Sequence, residues 1–216
     1  RGMSSAASDV YKRQPNSERT MGTYLGASER LVFNENFIEA ANNSKILFSE
    51  GYQFTSDENF SAFLNILKST EQKTKLALSL SDPGVVETFK NRFKEVFKVR
   101  KVDYLFCNKE EAISLVGNNF VKDLGDLAVN FVVTNGAESS YVVENGSYAE
   151  IKAKNVKAID SNGAGDIFAG AALNKIIEEE SFLNACKFGN YASSKIVQEK
   201  SPRLSVDQYK KLKADY

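Results

Sequence analysis

The feature that most limits the possible folds is a repeated alternation between short apolar runs and segments with helical spacing. Residues 76–80 (LALSL) and 103–107 (DYLFC) are typical of buried strands. Between them, apolar side chains recur at helical spacing; they are Val85, Val86, Phe89, Phe93, Val96 and Phe97. Asp82 stands where a helix cap is expected, and Pro83 follows at the first helical position. Such alternation predicts an α/β fold, with a mostly parallel sheet flanked by helices.

Composition excludes several classes of function. The 216 residues, 42% of them hydrophobic, suit one globular domain or part of a larger one. The 28 Lys and Arg residues balance 28 Asp and Glu residues without a basic block, so we expect no nucleic-acid partner. No apolar run approaches the ~18 residues of a membrane span, so we expect no membrane partner either. The absence of histidine excludes a Ser-His-Asp triad and histidine-ligated zinc.

The first residues differ from the rest of the chain. Residues 1–14 have no apolar periodicity, do not begin with methionine and contain no signal-peptide core. We interpret residues 1–14 as a non-native or disordered leader. Residues 15–216 are then the folded part.

Other elements follow from turn and cap residues. Tyr141 through Ile151 predicts a hairpin, because Asn145-Gly146 suits a type I′ turn. Residues 185–197 predict a helix, and Ser205 predicts the cap of a last helix.

A glycine-rich run at residues 160–166 (DSNGAGD) carries the main chemical signal. Gly163 and Gly165 permit a tight turn with exposed amides, and a helical pattern follows at once. Amides at the positive end of a helix form a ready anion site, and Asp166 would stand beside it. The run is not a Walker A loop, which ends in Gly-Lys-Ser/Thr, and it lacks the third glycine of a dinucleotide fingerprint. A purely structural turn capped by an aspartate stays open.

This run resembles the Asp-Thr-x-Gly-Ala-Gly-Asp signature of the ribokinase-like (PfkB) family of carbohydrate and nucleoside kinases. Residues 19–27 (RTMGTYLGA), 49–52 (SEGY) and 78–82 (LSLSD) resemble the adenosine-kinase-like branch. The resemblance runs from about residue 15 to the C-terminal region. It implies that the chain is the C-terminal part of a ribokinase-like domain, without the N-terminal portion and the lid. It implies an enzyme and leaves a homodimer open. The two cysteines, Cys107 and Cys186, show no metal spacing and indicate reduced thiols in a cytoplasmic protein.

The resemblance assigns catalytic roles to the glycine-rich run and to Arg19. Asp166 matches the general base. The amides of Gly163, Ala164 and Gly165 match an anion hole for the phosphoryl oxygens. Arg19 matches an arginine near the transferring phosphate, where a permanently charged guanidinium grips phosphate well.

Asn108 and Glu111 have two readings. Asparagine at a helix cap with glutamate three residues later is a capping box. The resemblance implies that this Asn-x-x-Glu pair also organises Mg²⁺ and phosphate, often through water. Mg²⁺ retains waters and takes few protein ligands, so both roles can hold together.

The resemblance also implies the ATP site. Thr134 and Gly136 match a Thr-x-Gly turn near the nucleotide phosphates, and Asn190 matches an asparagine near the adenine. Asp160 and Ser161 match positions beside a monovalent cation such as K⁺ in some members.

Two positions depart from the family pattern. Ser139 stands where a second glycine is usual after Thr-x-Gly, and Ser201-Pro202 replaces the usual glycine after the helix of Asn190. The shapes of these two loops are therefore not fixed by the resemblance.

The resulting expectation is ATP-dependent phosphoryl transfer to a hydroxyl of an adenosine-like nucleoside. A sugar such as ribose or fructose is the alternative acceptor. A catalytically silent nucleotide-binding fragment is the alternative from another class.

Overall fold

Secondary structure alternates along most of the chain. In the computed structural model the described residues are 8–13, 19–24, 26–29 and 34–216, with backbone alone at 8–13, 19–24 and 29. The strands are β1 (Ser8–Arg13), β2 (Arg19–Tyr24), β3 (Ile46–Glu50), β4 (Lys75–Ser79), β5 (Val102–Asn108), β6 (Ala128–Thr134), β7 (Ser140–Glu144) and β8 (Ser147–Ile151). The α-helices are α1 (Glu35–Asn42), α2 (Asp57–Ser69), α3 (Pro83–Thr88), α4 (Lys90–Val99), α5 (Lys109–Val116), α6 (Phe120–Asp123), α7 (Ala164–Ile177), α8 (Phe182–Ile196) and α9 (Val206–Ala214). Short 3₁₀ turns lie at Gly26–Glu29, Gly51–Phe54 and Leu124–Asp126.

The described strands form two sheets. β1 pairs with β2, and the other sheet has the order β3-β4-β5-β6-β7-β8. β3 and β5 each run parallel to β4, with Ser49 beside Leu78 and Leu78 beside Leu105. β7 and β8 are joined by the predicted turn, and the positive φ angles of Asn145 (49°) and Gly146 (81°) are those of a type I′ turn. This mixed, mostly parallel sheet with flanking helices confirms the predicted α/β class.

The chain forms two compact units. The first includes Thr23–Val133 and Val143–Ser147, and the second includes Asp9–Gly22, Thr134–Val142 and Tyr148–Tyr216.

Aromatic side chains fill the core of the first unit. The ring of Phe54 lies 4.9 Å from that of Phe93, 5.3 Å from that of Phe63 and 5.6 Å from that of Phe60, measured between centroids. Leu76, Ala77 and Leu78 of β4 are all fully buried, as expected for a parallel strand that is covered on both faces.

The helix predicted after Asp82 is divided in two. Asp82 does cap α3 by accepting hydrogen bonds from the amides of Gly84 (2.8 Å) and Val85 (3.1 Å). α3 ends at Thr88, however, and α4 begins at Lys90, because Phe89 leaves the helical region with φ −109° and ψ 24°. Apolar spacing could not reveal this break, since Phe93 and Val96 keep a helical spacing on the second helix.

The core of the second unit lies between α7 and α8. Its buried cluster is Ile167, Phe188, Tyr191, Ala192, Ile196, Leu204 and Leu212. A Cβ on Gly189 would lie 2.9 Å from the Phe168 carbonyl oxygen, so glycine lets the two helices approach closely. α8 includes most of the predicted helix 185–197, and Ser205 caps α9 as predicted.

Part of the predicted leader has regular backbone structure. β1 pairs with β2, although residues 1–14 show no strand pattern in the sequence. The division of the chain at residue 14 stays a prediction.

Candidate active site

The glycine-rich turn is anchored at its first residue. Asp160 is 1% exposed, and its Oδ1 accepts a hydrogen bond of 3.0 Å from the amide of Asn162. The amides of Ile159 and Asp160 both donate to the carbonyl oxygen of Val197, at 2.6 and 3.2 Å. The turn therefore enters α7 from a fixed, buried point.

Gly163 occupies a position that no other residue fits. Its φ of 79° lies in the left-handed region, and a Cβ there would lie 2.3 Å from the carbonyl oxygen of Pro202. Both the backbone conformation and the packing require glycine. The sequence explains the first requirement but gives no sign of the contact with Pro202.

The amides of the turn are used unequally. The Ala164 amide donates to the carbonyl oxygen of Ser161 at 3.2 Å. The amides of Gly163, Gly165 and Asp166 have no hydrogen-bond acceptor in the part of the chain that the structure describes. Of the three predicted anion-hole amides, Ala164 is thus bonded inside the turn, while the amide of Asp166 is an additional donor at the same place.

Asp166 lies in the first turn of α7 and is exposed. Its carboxylate forms no hydrogen bond or ion pair with another described residue. The side chain therefore does not serve as a structural cap in the described chain. Its role as a base stays a prediction.

Asn108 and Glu111 form the capping box at the start of α5. Glu111 Oε1 accepts from Asn108 Nδ2 at 2.7 Å, and Oε2 accepts from the Asn108 amide at 3.0 Å. Asn108 Oδ1 accepts from the Glu111 amide at 2.8 Å. Both hydrogen bonds of the capping box are therefore present. The role of this pair in organising Mg²⁺ stays a prediction.

The buried position of the Glu111 carboxyl disfavours its ionised form. Burial raises its pKa to about 7, opposed by the hydrogen bond from the Asn108 backbone and increased further by the nearby charges of Asp82 and Glu110. In the described chain no cation faces this carboxylate within ion-pair distance. A nearby cation would favour its ionised form, and each oxygen keeps lone-pair capacity beyond the bond that it accepts.

The remaining predicted residues lie on β2, on α8 and at the end of β6. Thr134 ends β6, and Gly136 follows with a φ of 56°. Asn190 lies on α8, where its Nδ2 donates to the carbonyl oxygen of Lys152 at 3.0 Å. Arg19 begins β2, but its side chain lies outside the described residues.

Two groups of predicted residues lie together in the structure. Asp160, Ser161 and residues 163–166 form one continuous turn, and Asn108 contacts Glu111 directly. The roles of Thr134, Gly136 and Asn190 toward a nucleotide, and of Asp160 and Ser161 toward a cation, stay predictions. Among the described residues no three acidic or cysteine side chains group as a metal site.

Two solved structures share the fold of this chain. A probable sugar kinase from Rhizobium etli matches with a TM-score of 0.88 and 24% identity, over 97% of this chain and 65% of that one. Adenosine kinase from Sinorhizobium meliloti matches with a TM-score of 0.87 and 24% identity, over 97% of this chain and 66% of that one. At this identity the likeness establishes the fold, which is ribokinase-like.

Sequence comparison gives the family. Residues 10–208 match the model of the pfkB family carbohydrate kinases, and the chain belongs to this family. It is 31% identical over 140 residues to adenosine kinase 2 of Arabidopsis thaliana; the match covers 56% of this chain and 40% of that protein. The chain thus spans well under the full length of the relatives that it matches. In the described residues no helix is long and apolar enough to cross a membrane.

Proposed function

We propose that the protein transfers the γ-phosphoryl group of ATP to a hydroxyl of adenosine or a similar nucleoside. The observation that carries this proposal is the turn before α7, with amides of Gly163, Gly165 and Asp166 that have no acceptor in the described chain and an exposed Asp166 beside them. Phosphoryl transfer asks a protein mainly for positioning and charge stabilisation, which such a turn can supply.

The transfer needs one base and one anion site. The Asp166 carboxylate orients the hydroxyl and takes its proton, while the hydroxyl oxygen bonds to the γ-phosphorus. The bond from that phosphorus to the β–γ bridging oxygen breaks, and ADP leaves. The amides of Gly163, Gly165 and Asp166 stabilise the charge on the phosphoryl oxygens. Asp166 needs only to stay ionised and aimed for this role.

Mg²⁺ fits the donors of Asn108 and Glu111. Their oxygens already accept hydrogen bonds, so they suit an ion that keeps its waters, and the buried Glu111 carboxyl would be ionised more easily beside a cation. In phosphoryl transfer, Mg²⁺ supplies positive charge that offsets the negative charge of phosphate oxygens.

Adenosine is favoured over a sugar as the acceptor by two kinds of similarity. Sequence similarity extends to adenosine kinase 2 of Arabidopsis thaliana, and residues 49–52 resemble the adenosine-kinase-like branch. A free sugar is the second candidate, because the fold also matches a probable sugar kinase.

Replacing Asp166 by Asn tests the base. In the full-length protein, Asp166→Asn should lower kcat by about 10²–10⁴-fold, while calorimetry should still detect ATP binding, because the amides are untouched. Asp207→Asn is the matched control, since Asp207 is also an exposed acid in the first turn of a helix.

The same assay should use adenosine, ribose and fructose as acceptors. Turnover on adenosine alone supports the first acceptor, and turnover on sugars alone supports the second. Near-normal turnover of Asp166→Asn would remove Asp166 from the base role. ATP binding without turnover on any acceptor would support a silent nucleotide-binding protein instead.

A further inference from the structure

One loop lies against the glycine-rich turn at two points. This loop, residues 197–204, joins α8 to α9 and is called here the bracing loop. The Val197 carbonyl oxygen accepts from the amides of Ile159 and Asp160, where the turn begins. The Pro202 carbonyl oxygen lies 2.3 Å from where a Cβ of Gly163 would stand, where α7 begins. The bracing loop therefore follows the turn from its anchor to its amides.

Arg203 follows directly on that second contact. Its amide donates to Ser201 Oγ at 3.3 Å, which fixes the backbone beside Pro202. The side chain is exposed, and its guanidinium forms no hydrogen bond or ion pair with another described residue. Arg203 thus provides a permanent positive charge next to the point where the loop contacts the glycine-rich turn.

The bracing loop has two cationic side chains and one acidic side chain, so its net positive charge favours binding of an anion. Glu199 is its acid, and Glu199 Oε1 accepts from Gln208 Nε2 at 2.8 Å. Lys200 is a second exposed cation on the loop. Asp166 is the exposed acidic residue in the first turn of α7. It forms no ion pair with Arg203.

We propose that the Arg203 guanidinium binds the terminal phosphate oxygens of the nucleotide held at the turn, which makes Arg203 a binding residue for the phosphorylated substrate. This inference rests on the proposed function. The chemistry suits the position, because a guanidinium stays charged and grips phosphate with two parallel hydrogen bonds. The amides of Gly163, Gly165 and Asp166 would hold the phosphate from one side, and Arg203 would bind it from the bracing loop.

The test compares nucleotides that differ only in phosphate number. ATP, AMP and adenosine are titrated into the chain by calorimetry, in the presence of Mg²⁺ and at two salt concentrations. Arg203→Gln should weaken ATP binding about tenfold or more and leave adenosine and AMP binding unchanged. Arg203→Lys should recover part of the loss, because it restores the charge but not the paired donors. Lys210→Gln, at an exposed lysine of α9, is the control for loss of one positive charge.

Each result bears on one of the two proposals. If Arg203→Gln binds ATP as tightly as the wild type, or if its AMP binding falls equally, the assignment of Arg203 is overturned. If the wild-type chain shows no binding of Mg-ATP, the phosphate site at the turn itself fails, and the proposed function fails with it. Because Arg203 is exposed, the melting temperature of Arg203→Gln should stay unchanged, and a lowered value would indicate a structural role instead.

Discussion

Gly163 and Gly165 have opposite surroundings, although they are two positions apart in the same turn. A Cβ at Gly163 would meet the carbonyl of Pro202, whereas a Cβ at Gly165 would meet no atom within 4 Å. Gly163 also has a left-handed φ, which Gly165 does not share. Gly163 is therefore required by the fold, and Gly165 can matter only for what approaches the turn from outside.

Two alanine substitutions separate folding from ligand binding at this turn. Gly163→Ala should lower the free energy of unfolding by several kcal/mol, because of the clash and the strained φ. Gly165→Ala should keep or slightly raise stability, by up to about 1 kcal/mol, since alanine favours helix. It should nevertheless weaken ATP binding, because a methyl group then stands where the phosphate approaches. Urea unfolding and ATP titration of both variants check this pair. Unchanged ATP affinity in Gly165→Ala would argue against an anion site at this turn.

The sequence predicted single-residue roles only where local chemistry decides them. The caps of Asp82, Asn108 and Ser205 follow from residue type and spacing, and all three are present. The contact between Gly163 and Pro202 joins residues far apart in the chain, which no local pattern encodes. For the same reason, the position of Arg203 could not be predicted. The bond from the Ala164 amide to the Ser161 carbonyl oxygen is local, but residue types alone do not fix which amides a turn uses.

At the scale of elements, the N-terminus of α5 buries a carboxyl group, which is unfavourable when that group is ionised. Its capping box buries the Glu111 carboxyl, and burial is the main cause of the raised pKa of about 7. The folded chain therefore holds a proton on Glu111 at pH values where the unfolded chain, with a pKa near 4.5, has lost it. The stability that this proton provides is complete below pH of about 4.5 and is lost as the pH rises through about 7.

This linkage predicts a pH-dependent stability that one substitution removes. Between pH 4.5 and 7, the unfolding free energy of the wild type should fall relative to Glu111→Gln, by up to about 1.4 kcal/mol per pH unit. Glutamine cannot titrate and is an accepted capping-box residue. Glu110→Gln, at the exposed neighbour, should keep most of the wild-type slope. Urea unfolding at several pH values measures all three proteins. Parallel slopes for wild type and Glu111→Gln would contradict the raised pKa.

Helices and strands could be predicted where the residue types of neighbouring positions determine them. β4, β5, the β7–β8 hairpin and α7 appear where apolar runs and turn residues predict them. The break at Phe89 and the strand β1 were not predicted. A one-residue departure from helical φ and ψ keeps the apolar spacing. The six residues of β1 (SDVYKR) do not alternate between apolar and polar, so no strand pattern can be detected there.

At the scale of the whole molecule, zero net charge coincides with an end strand of the larger sheet that the described residues form. Lys and Arg number 28, as do Asp and Glu, so electrostatic repulsion between copies is weak near neutral pH. β3 ends the order of the larger described sheet, and its Phe48 is 40% exposed. An edge strand with an exposed aromatic side chain and no net repulsion is a site where further strands can add.

A single lysine on β3 should therefore suppress self-association. At pH 7 and low salt, Phe48→Lys should reduce the concentration-dependent increase in light scattering, because a charge on an edge strand blocks pairing with another copy. Val206→Lys makes the same change of charge at the more exposed Val206 of α9, which lies on no sheet edge. If net charge alone controls association, both variants should improve equally. If the edge of β3 controls it, Phe48→Lys should improve far more, whereas an equal effect of the two variants would contradict the role of β3.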